Sequence, residues 1–373
     1  MITMDAFRAD AFSAVTLTAA VDKLGYVPQY LGTVPGLFND TPVRTTAVWI
    51  EERSNAPALI QTTERAAAPK VRGAEQRTAR AFRTRTLGEG SRIMADELQG
   101  IRAFGSETEM KTLMSEVARR QQLIKNDMEL TKENWRLGVI QGKLLDADGS
   151  VLYDWNAEFG QPQAAEVNFD LQSANPASGA LRQLCNQVVR HIKRALLGVG
   201  GDNVRINAVV GDKFWDALTS HPEVRQTFLN WNAAVELRGG NAWKDFQFGD
   251  ITWSNYRSTD DGDGTDTPVV GIPSTRAKFF PVNAGIFQIA YAPAPRFEFV
   301  NTLGLPTYSW VVLDEKRDMW ADVETFSYPL AVCTMPGALL SGKRTSTDRR
   351  LAIDPFQTRQ GDLGGFTVKA CLV

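Results

Sequence analysis

Residues 106–137 read SETEMKTLMSEVARRQQLIKNDMELTKENWRL, the longest stretch of the chain whose apolar residues keep one helical period. Met110, Leu113, Met114, Val117, Ile124, Met128 and Trp135 recur at steps of three, four and seven. That spacing puts them on one stripe of a helix and leaves charge on the other side. Only Gln121 interrupts the stripe. Ser106 followed by Glu109 is a capping box, and Gly138 predicts the stop. Glu116 and Arg120, one turn apart, support the exposed side. At ~1.5 Å per residue the helix would be ~45 Å long, well beyond the usual three turns. A coiled-coil seam at Leu123, Leu130 and Leu137 exists only in the second half, too short for sustained heptads. The expectation is a long helix lying across a sheet.

Upstream of it, Ala11–Leu24 has a short helical pattern, and GYVPQYLGTVPGLFNDTPV then places glycine or proline every few residues, as in an extended arm. Ala47–Glu52 and Ala58–Gln61 read as strands. Arg65–Arg85, RAAAPKVRGAEQRTARAFRTR, carries seven basic residues, one acid, and only Val71 and Phe82 as large apolar side chains. It therefore lacks a core of its own. Leu87–Phe104 is mixed and moderately helical, so residues 46–104 read as an excursion that leaves and rejoins one place.

Downstream, Val139–Leu145 and Ser150–Trp155 alternate around DADG, a hairpin signal. A strand at Glu166–Leu171 follows. Ala180–Leu197 reads as a helix, with Leu181, Leu184, Cys185, Val188, Ile192 and Leu196 on one face and GVGG closing it. Next come a buried strand at Ile206–Val210, helices from Asp212 and Pro222, and strands at Phe246–Tyr256 and Val269–Ile272. Residues 176–305 thus look like a mixed α/β domain. Strands at Tyr308–Leu313 and Asp318–Leu330 should return beside the long helix, making that domain an insertion.

The 373 residues are 43% hydrophobic and 23% charged with net charge −2, enough chain for two domains and no global field toward nucleic acid or membrane. Cys185, Cys333 and Cys371 fit neither a disulfide framework nor a metal spacing, which suits a reducing compartment. The opening MITMDAFRAD has no apolar core of signal-peptide length, and prolines break the uncharged runs Phe279–Pro295 and Thr325–Gly342. Neither export nor a membrane span is expected.

Few motifs suggest chemistry. Gly337–Arg344, GALLSGKR, nearly spells a P-loop, but Arg344 stands where a Ser or Thr should hold magnesium, and no helix pattern follows. Asp260–Asp266, DDGDGTD, lacks the glycine and glutamate of a calcium loop. His191 and His221 are thirty residues apart with no ligand or nucleophile pattern around them. Nine tryptophans and nineteen phenylalanines point to packing and subunit contacts. The basic run Arg65–Arg85 reads in three ways: a solvated loop, a nucleic-acid contact without stacking aromatics, or a loop pairing with acids of a neighbouring copy. Near-neutral overall charge favours the third.

The order of parts resembles the major capsid proteins of tailed bacteriophages, specifically the lambda-type capsid protein E family with its HK97-type fold. The likeness rests on VIQGKLLDADGSVLYDW (Val139–Trp155), RINAVVGDKFWDAL from Arg205, FFPVNAGIFQIAYAPAP after Lys278, and SYPLAVCTMPGALL (Ser327–Leu340). It covers residues 1 to about 340 and implies an α+β fold. Its parts would be an N-terminal arm (1–45), an extended loop (46–104), the spine helix with the first part of a peripheral domain (105–175), an axial α/β domain (176–305), the return of the peripheral domain (306–340) and a C-terminal extension (341–373). It implies that Arg65, Lys70, Arg72, Arg77, Arg80, Arg83 and Arg85 contact a neighbouring subunit, while the seven apolar residues of the stripe pack the spine.

A shell protein of this kind has no catalytic, cofactor or metal site. Its partner is itself, in hexamers and pentamers, with decoration, scaffold and portal proteins as further candidates, packaged DNA held non-specifically on the inner face, and no membrane. It would belong to the virion and assemble in the bacterial host cytoplasm. The competing readings are an encapsulin-like compartment shell and a nucleotide- or metal-binding enzyme using Gly337–Lys343 or the Asp260 loop.

Overall fold

The structure, a computed structural model, describes residues 30–53, 77–95, 97, 109–173, 176, 178–229, 245–256, 270–317 and 319–345; side chains at 51–53, 77–78, 109–115 and 228–229 fall outside the description. The expected helix Ala11–Leu24, the capping box at Ser106, Arg65, Lys70, Arg72, Cys371 and the Asp260–Asp266 loop lie outside the described residues, as do the side chains of Arg77, Met110, Leu113 and Met114.

The long helix runs Glu109–Val139, 31 residues. Of its stripe, Val117, Ile124, Met128 and Trp135 are all buried, whereas Leu123 is 51% exposed, so no coiled-coil seam forms. The helix does not stop at Gly138. A Cβ there would lie 2.7 Å from the Lys143 carbonyl oxygen, so this glycine permits a close approach; the left-handed turn residue is Gly142, at φ +83°. The following strand is correspondingly shorter than expected, Lys143–Leu145, paired with Val151–Asp154 across the DADG turn. Asp154 caps the short helix Trp155–Glu158, its carboxylate accepting from the Asn156 and Ala157 amides.

The chain folds as two compact units. One draws on Thr41–Gln121 and Ala290–Leu330; the other draws on Gln122–Ile289 with the described parts of Leu24–Asp40 and Ala331–Val373. The helix supplies both.

The first unit holds an antiparallel sheet in the order Tyr308–Leu313, Trp320–Ser327, Leu87–Met94. Leu87–Phe104 was expected to be mixed and moderately helical, yet Leu87–Met94 is a strand paired along its whole length. Gly88 and Gly90 blur its period of two, and Gly88 is small because the Phe326 ring occupies the space a Cβ would take, 2.1 Å away. The helix crosses this sheet. Gln121, the break in the stripe, is buried and its amide donates to Ser309 Oγ at 2.9 Å. Arg120 donates to Ser91 Oγ at 3.0 Å and is also hydrogen-bonded to the Arg92 carbonyl and to Glu97. Tyr308 and Trp310 of its first strand join Ala292, Ala294, Phe299 and Tyr328 in one buried cluster.

The second unit is built on a mixed six-stranded sheet, ordered Val167–Asn168, Leu340–Lys343, Arg276–Val282, Arg205–Val210, Ile251–Asn255, Phe246–Phe248. Arg276–Val282 pairs antiparallel with Arg205–Val210, which pairs parallel with Ile251–Asn255. The central strands are buried nearly throughout, which is why Phe279–Val282, the second half of Arg276–Val282, reads in sequence as an apolar run without alternation. Helices Ala180–Ala195, Asp212–Ser220 and Pro222–Leu229 belong to this unit. Of Val269–Ile272, expected as a strand, the described residues 270–272 form none. The strand Leu340–Lys343 extends ordered structure into the stretch expected as a C-terminal extension.

Candidate assembly surfaces

Ala47–Arg53 and Arg77–Arg83 pair antiparallel as a two-stranded ribbon, with Ala47 opposite Arg83 and Arg53 opposite Arg77. The basic run is thus not wholly without structure, and Phe82 within it is buried at 4% exposure. Alternation gives the ribbon two faces. Val48, Ile50, Arg80 and Phe82 share one face, which is half-buried or better; Trp49, Ala81 and Arg83 share the other, which is open. Trp49 is 65% exposed there. A two-stranded ribbon is marginal alone, and its open face carries this one large aromatic ring, amphipathic at its indole N–H. Arg83 and Arg85 are exposed, while Arg80 lies on the more buried face, so these three, the members of the run whose side chains are described, do not present one surface. Sequence reading missed Trp49 because it looked for charge in the other strand.

In the second unit, the last turns of the long helix bury charge that no local spacing announces. Glu133 is fully enclosed. Its Oε1 accepts from the Leu31 amide at 2.8 Å and the Tyr256 hydroxyl at 3.1 Å, and its Oε2 accepts from Arg136 at 3.2 Å. Lys132 pairs with Glu129 at 2.9 Å. Tyr30 donates to Asp245 at 3.3 Å and is hydrogen-bonded to Ser254, so the Tyr30–Thr33 turn is tied to this unit by its backbone and its ring. Burial pushes the Tyr30 hydroxyl up to about 12.

The near P-loop is built otherwise. Pro336–Ala338 is a single 3-10 turn and Leu340–Lys343 a strand. The Gly337 amide donates to Gln161 Oε1 at 2.9 Å and so is not free for a phosphate, and its carbonyl lies 3.3 Å from His191 Nε2. Gly342 is small because a Cβ would lie 2.8 Å from the Phe169 ring and 2.9 Å from the Phe279 ring. GVGG caps its helix with Gly198, Gly200 and Gly201 all at positive φ. His221 is buried, its Nδ1 accepting from the Glu223 amide at 3.3 Å, and desolvation holds its pKa below the ordinary value. Cys185 and Cys333 are buried and unbonded, with burial pushing each thiol up to about 12. Among the described residues, no cluster of His, Cys, Asp or Glu could hold a metal, and no helix is long and apolar enough to cross a membrane.

The chain is 26% identical over 356 residues to the major capsid protein of Salmonella phage Felix O1, covering 88% of this chain and 95% of that one. It is 26% identical over 325 residues to the major capsid protein of Pseudomonas phage KPP10, covering 83% and 90%. Among solved structures, the cyanophage Pam1 capsid matches over 87% of this chain and 94% of that chain, at 10% identity and a TM-score of 0.48. The model of the family described as phage major capsid protein E matches residues 13–344, nearly the whole described chain, and the protein belongs to that family.

Proposed function

We propose that the chain is the subunit of an icosahedral, HK97-type shell that encloses a double-stranded DNA genome, arranged as hexamers and pentamers of itself. The observation that carries this reading is the family match over residues 13–344. The open ribbon face with Trp49 exposed fits it, because a contact face on a marginal element needs a second copy to cover it. In this reading residues 46–104 are the extended loop, 176–305 the axial domain, and 139–175 with 306–340 the peripheral domain. Arg65, Lys70, Arg72, Arg77, Arg80, Arg83 and Arg85 supply basic contacts to a neighbour; among those whose side chains are described, Arg83 and Arg85 are exposed. Scaffold, decoration and portal proteins are further partners, and the virion forms in the host cytoplasm without a catalytic role for the subunit.

The test is Arg83→Glu with Arg85→Glu in the full chain. Both side chains are exposed, so the protein should still fold yet form no shells, because like-charge juxtaposition at an interface costs affinity. Normal assembly of the variant would remove the ribbon from the contact.

A further inference from the structure

The helix Ala180–Ala195, ALRQLCNQVVRHIKRA, carries Arg182, Arg190, Lys193 and Arg194 and not one acid, in a chain whose net charge is −2. Its apolar face is spent inward, with Leu181, Cys185, Val188, Val189 and Ile192 buried. All four cations are exposed. From Arg182 to Arg194 the row spans ~18 Å at the helical rise. Its C-terminal half borders an open concavity of about 460 Å³ lined by Asn186, Val189, Arg190, Lys193, Arg194 and one carboxylate, Asp250.

The helix dipole favours cations in the last turn, which accounts for Lys193 and Arg194. It does not account for Arg190, nor for Arg182 in the first turn. There Glu223 already satisfies the helix start, accepting from the Leu181 and Arg182 amides at 3.1 and 3.2 Å. Arg190 and Arg194 are one turn apart, a like-charge spacing that weakens a helix unless an anion covers it. Among the described residues no ion pair involves Arg190, Lys193 or Arg194. Arg182 lies over the Phe248 ring at 5.7 Å, a contact that leaves its charge uncancelled.

We propose that this face binds the phosphate backbone of double-stranded nucleic acid without sequence preference. A row of cations, with the Asn186 amide among them, matches a continuous line of phosphates better than a single carboxylate would. The stripe carries no aromatic residue to stack on bases, which fits backbone contact alone. The proposal rests on the reading of the chain as a shell around DNA and assigns the DNA contact to this helix instead of to the basic run Arg65–Arg85.

The experiment is fluorescence anisotropy of a labelled 25-base-pair duplex with the full-length, unassembled chain across a salt series. The triple variant R190Q/K193Q/R194Q is compared with R83Q/R85Q. Each phosphate contact contributes about −0.9 to the slope of log affinity against log salt, so the triple variant should flatten the slope by between two and three and weaken binding at least tenfold near 100 mM salt. R83Q/R85Q should leave the slope unchanged. An unchanged slope in the triple variant, or an equal loss in R83Q/R85Q, overturns the proposal. Should the triple variant fail to fold, the three single variants should each flatten the slope by about one, and no change in any of them overturns it equally. Electron microscopy of the same proteins separates the readings: shells from the triple variant leave the shell function standing whichever way the slope falls.

Discussion

The side-chain amide of Gln121 donates to the hydroxyl of Ser309 at 2.9 Å, inside the first unit, with both residues almost fully buried. Ser309 in turn donates to the Glu324 carbonyl at 3.1 Å, so one polar chain links the long helix to two strands of the sheet it crosses. Ser309→Ala removes the acceptor and leaves a buried amide donor unpaired, which costs about 1–3 kcal/mol. Adding Gln121→Leu removes the orphaned donor as well. The double variant should therefore be more stable than Ser309→Ala alone, the reverse of additivity. Denaturant midpoints of the two variants check this.

Glu116 should make the first unit acid-sensitive. Hydrogen bonds from Arg119, opposed by burial and joined by one from Arg120, hold its carboxyl down to about 2 against an ordinary 4.5. The distances are 2.7 and 3.0 Å to Arg119 and 2.8 Å to Arg120. With the folded value lowered, the unfolded state binds more protons between these two values. The contribution is full above about pH 4.5 and is lost as pH falls toward 2. Glu116→Gln should be less stable at neutral pH and show a flatter stability profile over that acid range, as read from unfolding midpoints.

Gly342→Ala tests the packing account of the GALLSGKR strand. The new methyl would press on the Phe169 and Phe279 rings, which are stacked at 5.5 Å between centroids and buried. Overpacking of this kind costs about 1–3 kcal/mol. The variant should unfold at lower denaturant, and calorimetry with ATP and magnesium should give no binding heat for the parent protein. A saturable ATP signal abolished by Gly342→Ala would instead favour the phosphate reading.

Trp49 and Phe82 lie on opposite faces of the ribbon and should separate folding from assembly. Phe82→Ala empties a buried site and should cost about 3–5 kcal/mol of stability. Trp49→Ala removes an exposed ring and should change stability by under about 0.5 kcal/mol. Its loss should nonetheless raise the concentration needed for assembly about thirtyfold, the size of a 2 kcal/mol contact residue. Light scattering against protein concentration, beside a thermal melt, reads both.

The parts legible in the sequence are those set by local period. Val117, Ile124, Met128 and Trp135 announce their burial by spacing alone, and the DADG turn announces its hairpin. What long-range pairing decides was not legible. Glu133 reads as a solvated charge until Leu31 and Tyr256, each more than a hundred residues away in sequence, arrive as its partners. Gly88 and Gly90 hide a strand whose glycines answer to a facing phenylalanine ring and a facing strand. Of the candidate contact residues, the basic run was visible as composition. Which of its arginines reach solvent depends on the alternation of a ribbon whose other strand lies some thirty residues earlier.

The most direct test of the shell reading is negative-stain electron microscopy of the full chain expressed alone, with an absorbance ratio for nucleic acid on the same sample. Closed particles of uniform diameter, or curved sheets of hexamers, are the predicted result. Small discrete oligomers in every buffer, with no shells and no sheets, would contradict it.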